Sequence, residues 1–369
     1  MSSREDLVSL LTDGIAGSGN DAETALVRRP ALALAPMATI SHAGFRTLVH
    51  EFGGCDLYFT EMISAEALIS GTPYESYYCN LDPAPTRTVC QLVGYSADAI
   101  VEAAVRLARA RPGRGAVPAE EQARDHAGPA GIDLNMGCSA PHIVRKGGGI
   151  AWMDREDEAL SVVERVRAEL PDLALSAKLR LGRRDDPARL VGFCRQLEAH
   201  GVDFITLHPK RQKEGSARVA RWEYVDLLRH ENSIPVIGNG GVVSWETYVT
   251  RRDRGPNPHR GGLMIGRGAV RAPWIFAYLR ERERMPTFEL SVDLVAVTER
   301  IFSLIEAYQP SDFWPSRARR LYPYLFQNVR FGHTIGAALG DTRDYQEGKA
   351  RVRSFFADKR ERRFHVERR

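Results

Sequence analysis

The sequence predicts a (β/α)8 TIM barrel followed by a small C-terminal all-helical domain. Three observations carry that expectation. Eight short β-rich runs recur at start-to-start intervals of 25 to 43 residues, each long enough for a right-handed crossover. Helical patterns fill the intervals, as in SADAIVEAAVRLARA (96–110) and DPARLVGFCRQLEAHG (186–201). Past Met285-Pro286 the strand signals stop, and only helical apolar spacing continues. A doubly wound sheet is the competing layout, but the G-x-G-x-x-G turn that marks its first strand is missing after LALAPM.

The chain divides into an extension (1–29), a barrel (30–285) and a helical segment (286–369). The extension offers one short helical stretch, LVSLLTDGI, and reads as a spacer. The strand runs are LALAPM (32–37), LYFTEMI (57–63), TVCQLVG (88–94), GIDLNMGC (131–138), LALSAKLRLG (173–182), FITLHP (204–209), PVIGNGGV (235–242) and GLMIGRGA (262–269). The helix over 186–201 should open on an acidic cap with Pro187 at its first position and stop at Gly201. Residues 111–129, rich in Pro, Gly, Ala and charge, read as a loop inserted before strand four. Three helical stretches follow the barrel, over 292–308, 316–339 and 344–361.

Composition narrows the class. The chain has 369 residues, 43% hydrophobic and 27% charged, with mean hydropathy −0.31, as in an ordinary globular protein. No window approaches the roughly 18 apolar residues of a membrane helix, and the N-terminus lacks a signal-peptide pattern. Five cysteines without a C-x-x-C pair argue against a disulfide framework or a zinc site. A cytoplasmic protein is expected. Charge is uneven: residues 310–369 hold 14 Lys+Arg against 7 Asp+Glu, a balance of +7, while 1–309 stand at −3. A basic tail end on a near-neutral body suits a polyanionic partner, although a solvated Arg-rich surface has the same composition.

Chemistry in such a barrel sits where strands end. The polar residues there are Pro36-Met37, Glu61, Gln91, Asn135 with Cys138, Lys178 with Arg180, His208, Asn239-Gly240-Gly241 and Gly266-Arg267. Glycine-rich ends of the last two strands, with Arg267 beside them, match the common phosphate site of the fold. Lys178 could face an electron-accepting ring, and Gln91 offers donor and acceptor to a pyrimidine-like edge. Together they point to a phosphorylated flavin, though phosphosugar barrels use the same phosphate site. Among histidines, His42 reads as a helix-start residue and His142 as surface or loop support, while His208 is the one expected in the site. Glu61 and Met62 leave cavity lining and structure equally open. Cys55, Cys79, Cys90 and Cys194 read as structural.

The stretch LAPMATISHAGFRTLVHEFGGCDLYFTEM resembles the opening signature of the tRNA-dihydrouridine synthases. CQLVGYSADAIVEAA, GIDLNMGCSAPHIVRKGGGI, SAKLRLG, LHPKRQKEG with ARWEYV, PVIGNGGV and MIGRGA resemble that family in the same order, over roughly 32–284. The resemblance implies FMN-dependent reduction of the uridine C5=C6 bond in tRNA, with NADPH or NADH as reductant. It implies that Pro36, Met37, Ala38 and Gln91 hold the flavin ring, with Lys178 and His208 supporting it. Asn239, Gly240, Gly241, Gly266 and Arg267 would bind its phosphate. Cys138 matches the proton donor, and Asn135 and Arg180 match positions that contact the target base. A thiol is mostly protonated at neutral pH and suits that role. The basic helical domain would then position tRNA, and a monomer is expected; ribosomal RNA is a further candidate substrate. Two departures stand out: the usual G-C-P reads Gly137-Cys138-Ser139-Ala140-Pro141, and the usual N-G-D reads Asn239-Gly240-Gly241. The rivals are an FMN barrel acting on a free small molecule and an RNA-binding protein that keeps flavin as scaffold.

Overall fold

The computed structural model describes residues 4–16, 28–109, 128–215, 218–254, 260–329, 332–340, 344–357 and 363–367. All but the last two residues of the expected insertion, 111–129, lie outside that set. Eight parallel strands run in chain order around a barrel: β1 (Leu32–Leu34), β2 (Tyr58–Ser64), β3 (Thr88–Val93), β4 (Gly131–Met136), β5 (Ala174–Leu179), β6 (Phe204–Leu207), β7 (Val236–Asn239) and β8 (Gly262–Ile265). β8 pairs with β1, and a parallel bridge between Ala33 and Leu57 closes the ring. Each strand falls inside its expected run except β2, which overruns 57–63 by Ser64. The helix expected over 186–201 forms at Pro187–Ala199, where Asp186 accepts from the Arg189 N–H at 3.0 Å and Gly201 takes φ +107° beyond its end.

Period-two alternation sorts the strand residues. Ile132, Leu134 and Met136 of β4 face the helical shell, as do Leu175, Ala177 and Leu179 of β5. The opposite positions fill the barrel, where Ala33, Phe59, Val89, Ala174, Phe204 and Ile237 form a separate apolar cluster. Helix Arg4–Asp13 inserts Leu7 and Leu11, both essentially fully buried, into that cluster. Arg4 pairs with Asp203 at 2.7 Å, and the Gly261 N–H donates to the Leu11 carbonyl at 2.6 Å. The described helix of the N-terminal extension is therefore not a spacer: it plugs the barrel base, with Leu7 and Leu11 covering the interior.

Helices Leu294–Tyr308, Trp314–Leu325, Gly332–Gly340 and Tyr345–Ala357 form the expected C-terminal region. One addition corrects the reading that strand signals end at Met285: Leu290–Asp293 pairs antiparallel with Phe364–Glu367. These strands alternate apolar and polar residues over four positions, LSVD and FHVE, without the continuous apolar run that marks the buried barrel strands. The region shares one continuous apolar core with the barrel's outer shell. Helix Ala43–Phe52 meets Leu294–Tyr308 at backbone distance, since a Cβ on Gly44 would lie 2.8 Å from the Leu304 carbonyl oxygen. Arg317 and Glu61 form an ion pair at 3.1 Å with both side chains 2% exposed, joining the two regions.

Candidate active site

At the carboxyl ends of the strands the barrel opens into a cavity of about 530 Å³. Its wall includes all fourteen residues expected in the site: Pro36, Met37, Ala38, Gln91, Asn135, Cys138, Lys178, Arg180, His208, Asn239, Gly240, Gly241, Gly266 and Arg267. Parallel register explains the convergence. Gln91 stands beside Asp133, Asn135 beside Lys178, and Lys178 beside Thr206, so inward side chains of successive strands become lateral neighbours.

A chain of hydrogen bonds fixes one wall. Ser176 Oγ and Gln91 Nε2 both donate to the Asp133 carboxylate at 2.6 Å. Asn135 Nδ2 donates to Gln91 Oε1 at 2.9 Å, and Asn135 Oδ1 accepts from the Cys138 N–H at 2.8 Å and the Gly137 N–H at 3.2 Å. From the other side the Ile150 N–H donates to the Cys138 carbonyl at 2.9 Å. Cys138 is thereby held at both ends of its backbone while its half-buried thiol faces the cavity. The two extra residues Ser139 and Ala140 are absorbed before helix Pro141–Arg145 without removing the cysteine from the wall.

The adjoining wall is cationic. Burial is the main force pushing the His208 imidazole down to about 2, and Lys178, Arg180, Lys210 and Arg267 add to it. His208 is therefore neutral at any physiological pH. Burial also lowers the Lys178 ammonium to about 8, opposed by the Asp133 carboxylate. Four cations surround one imidazole, against Asp133 beside Lys178 and Glu214 near Arg180 and Lys210, and the excess of positive charge suits an anionic ligand. Close backbone approaches shape the same wall. A Cβ on Gly240 would lie 3.0 Å from the His208 ring, and one on Gly266 would lie 3.4 Å from Met37 Sδ. Gly240 and Gly241 adopt φ of +120° and +79°, which only glycine takes without strain. This donor set fits a flavin phosphate, with an apolar rim at Met37, Ala38 and Met62 for its ring.

The sequence left Glu61 and Met62 open, and a β-bulge decides between them. Register between β2 and β3 shifts between Phe59 and Met62. Phe59 and Met62 both face inward, while Glu61 turns to accept from the Thr39 N–H and pair with Arg317. His42 caps helix Ala43–Phe52, accepting from the Phe45 N–H at 3.3 Å, and His142 is exposed on helix Pro141–Arg145. Cys55, Cys90 and Cys194 are buried, and burial pushes their thiols up. The sequence reading missed Asp133, Lys210 and Arg271, and missed Tyr324 and Gln327 of the helical region, which close one side of the cavity. Asp133 had a signal, since it precedes Asn135 by two in a strand and must share its face. Tyr324 and Gln327 had none.

Comparison with known proteins decides the family. The dihydrouridine synthase family profile matches residues 33–358, most of the chain. The protein belongs to the dihydrouridine synthase family. A probable tRNA-dihydrouridine synthase of Aquifex aeolicus is 31% identical over 253 residues, covering 68% of this chain and 72% of that one. One from Rickettsia bellii is 26% identical over 283 residues, covering 75% and 80%. The tRNA-dihydrouridine(47) synthase [NAD(P)(+)] of Malassezia globosa is 30% identical over 302 residues, covering 73% of this chain but 37% of that longer protein. The match runs into the helical region and so takes in Tyr324 and Gln327. Among the described residues, no helix of this synthase-family chain is long and apolar enough to cross a membrane, and no metal-binding cluster occurs.

Proposed function

We propose that this protein reduces the C5=C6 bond of uridines in tRNA to 5,6-dihydrouridine. In this reading FMN sits at the barrel mouth, NADPH or NADH is the reductant, and Cys138 is the acid. The observation that carries it is one cavity that brings a thiol together with a cationic, glycine-lined recess. Family membership and the nicotinamide reductant in a relative's name support the same reading.

When bound, FMN supplies hydride to C6 of the base. The chain's own residues do the rest. Arg267 and the backbone around Gly240, Gly241 and Gly266, with Asn239 behind them, hold the phosphate. Pro36, Met37 and Ala38 line the ring face, and Lys178 places positive charge at the ring edge. Cys138 Sγ–H delivers its proton to C5 from the opposite side of the base, with Arg180 and Asn135 at the same wall. The uridine must leave the folded RNA to reach this depth.

The helical region 286–369 holds the tRNA backbone in this proposal. Its charge is more localised than the +7 balance suggests. Among the described residues Arg317, Lys349, Arg351, Arg353 and Arg363 are ion-paired within the protein. Arg319 and Arg320 stand exposed on helix Trp314–Leu325, whose far end carries Tyr324 to the cavity. These two are the phosphate contacts we assign to the described part. A cytoplasmic monomer completes the reading.

The test is direct. Purified protein should be yellow, release FMN on denaturation, and convert uridine to dihydrouridine in unmodified tRNA with NADPH, read by nucleoside mass spectrometry. Folded protein that takes up no FMN, or FMN-loaded protein that leaves every uridine intact, overturns it. Activity on ribosomal RNA alone redirects the substrate.

A further inference from the structure

A buried carboxylate lies beneath the cavity, and no step of the proposed reaction uses it. Asp133 is fully buried on β4, two residues before Asn135. Burial pushes its carboxyl up to about 6, against the pull of the Gln91 and Ser176 hydrogen bonds, and both polar side chains in contact with it arrive as donors. An ionised carboxylate only accepts. It therefore takes both Ser176 Oγ–H and Gln91 Nε2–H, which turns Gln91 Oε1 toward Asn135 Nδ2. Asn135 is left with Oδ1 directed at the Cys138 and Gly137 N–H groups. A flip of either amide would set donor against donor or acceptor against acceptor, in a place too buried for water to repair.

We propose that Asp133 is a positioning residue: by fixing the amide orientations of Gln91 and Asn135, it sets the Cys138 backbone and hence the thiol at the cavity wall. The consequence for turnover rests on the proton-donor role given to Cys138 above. The consequence for the thiol's reactivity does not. The same geometry gives Asn135 a second task, since both halves of its amide are engaged inside the protein before any base arrives.

Three variants test this, with the alkylation rate of Cys138 by iodoacetamide in flavin-free protein, read by peptide mass spectrometry, as the primary measurement. Asp133→Leu removes the acceptor and should change that rate at least about threefold. It should also slow dihydrouridine formation about tenfold to a hundredfold with the KM for tRNA unmoved, the scale of one buried hydrogen bond to a charged group. Asp133→Asn keeps the orientation, because its carbonyl still accepts from Gln91 while its amide donates to the Ser176 hydroxyl. The alkylation rate should stay within about threefold of wild type, since the orienting acceptor survives; turnover falls separately, because the neutral amide no longer supports the Lys178 ammonium. Unchanged alkylation in Asp133→Leu overturns the proposal, and so does an equal shift of alkylation in the Asn and Leu variants, which would make the charge the operative feature. Should Asp133→Leu fail to fold, Gln91→Met breaks the next link; it should shift alkylation similarly, and a wild-type rate there also overturns the proposal. A wild-type enzyme that forms no dihydrouridine, while these alkylation shifts persist, would fail the functional reading and support the positioning role.

Discussion

The two ends of this barrel are built from the same strands and differ by a single step of two residues. At the base the inward positions are Val89, Ala174, Phe204 and Ile237, sealed by Leu7 and Leu11. One step higher the same strands present Gln91, Ser176, Thr206 and Asn239, and one step above that Lys178 and His208. The base is dry and closed by a helix. The mouth is polar, cationic and only partly covered, by Tyr324 and Gln327. Stability and chemistry are thus stacked along one axis. A substitution below should be felt in folding, and one above in binding or turnover.

The largest expected break of that comparison is at the mouth. Cys138→Ala should lower dihydrouridine formation by about 10²–10⁴-fold, the range for a lost general acid. FMN affinity, NADPH oxidation without tRNA and thermal stability should stay at wild-type values. A wild-type rate in single-turnover assays would remove the thiol as proton donor.

Arg317→Ala crosses the division, because Arg317 belongs to the helical region yet neutralises Glu61 in the barrel. It should destabilise by about 3–5 kcal/mol in denaturant titration, since it leaves a buried carboxylate unpaired. Burial pushes Glu61 above its ordinary value while Arg317, the Thr39 N–H and Arg46 pull it back, so loss of Arg317 should raise it further. A loss under about 1 kcal/mol would mean the interface readmits water.

The converse test is at the base. Leu11→Ala should cost about 2–5 kcal/mol by opening a cavity while leaving the FMN dissociation constant within about twofold. Affinity that falls in step with stability would show that the two ends are mechanically coupled. Arg267→Ala should do the opposite, weakening FMN binding about tenfold to a hundredfold, the worth of a charge-assisted contact, with little change in the melting of flavin-free protein.

The smallest effect is a pH dependence. Lys178 in the unliganded protein loses its proton through about pH 8. Its charge is fully present below that and lost above it, so FMN affinity should decline as pH rises past 8, with uptake of a proton on binding. Lys178→Met should abolish that limb. Calorimetry in buffers of different ionisation heat reads both.

What was legible beforehand follows from how each feature is encoded. Each strand of the barrel announced itself by a short β-rich run, and the polar residues at strand ends proved to share one cavity, because parallel register makes strand ends neighbours in any such barrel. Asp133 was readable by alternation from Asn135 and was overlooked. The split between Glu61 and Met62 was not readable, since one inserted residue in β2 exchanges their faces without altering composition.

Local pattern alone determined the eight-stranded barrel and the helical region beyond it, and the ordered motifs shared with the family marked fourteen residues that line the cavity, because strand polarity gathers strand ends at one mouth. Tertiary structure decided the rest. It placed the first helix as a plug in the base, bent Glu61 away to Arg317, carried Tyr324 and Gln327 to the mouth, and neutralised most of the described C-terminal charge in internal ion pairs. Apart from the Arg351–Glu347 pair, one helical turn apart, each of these joins residues far apart in the chain, and only the folded packing brings such residues within reach of one another.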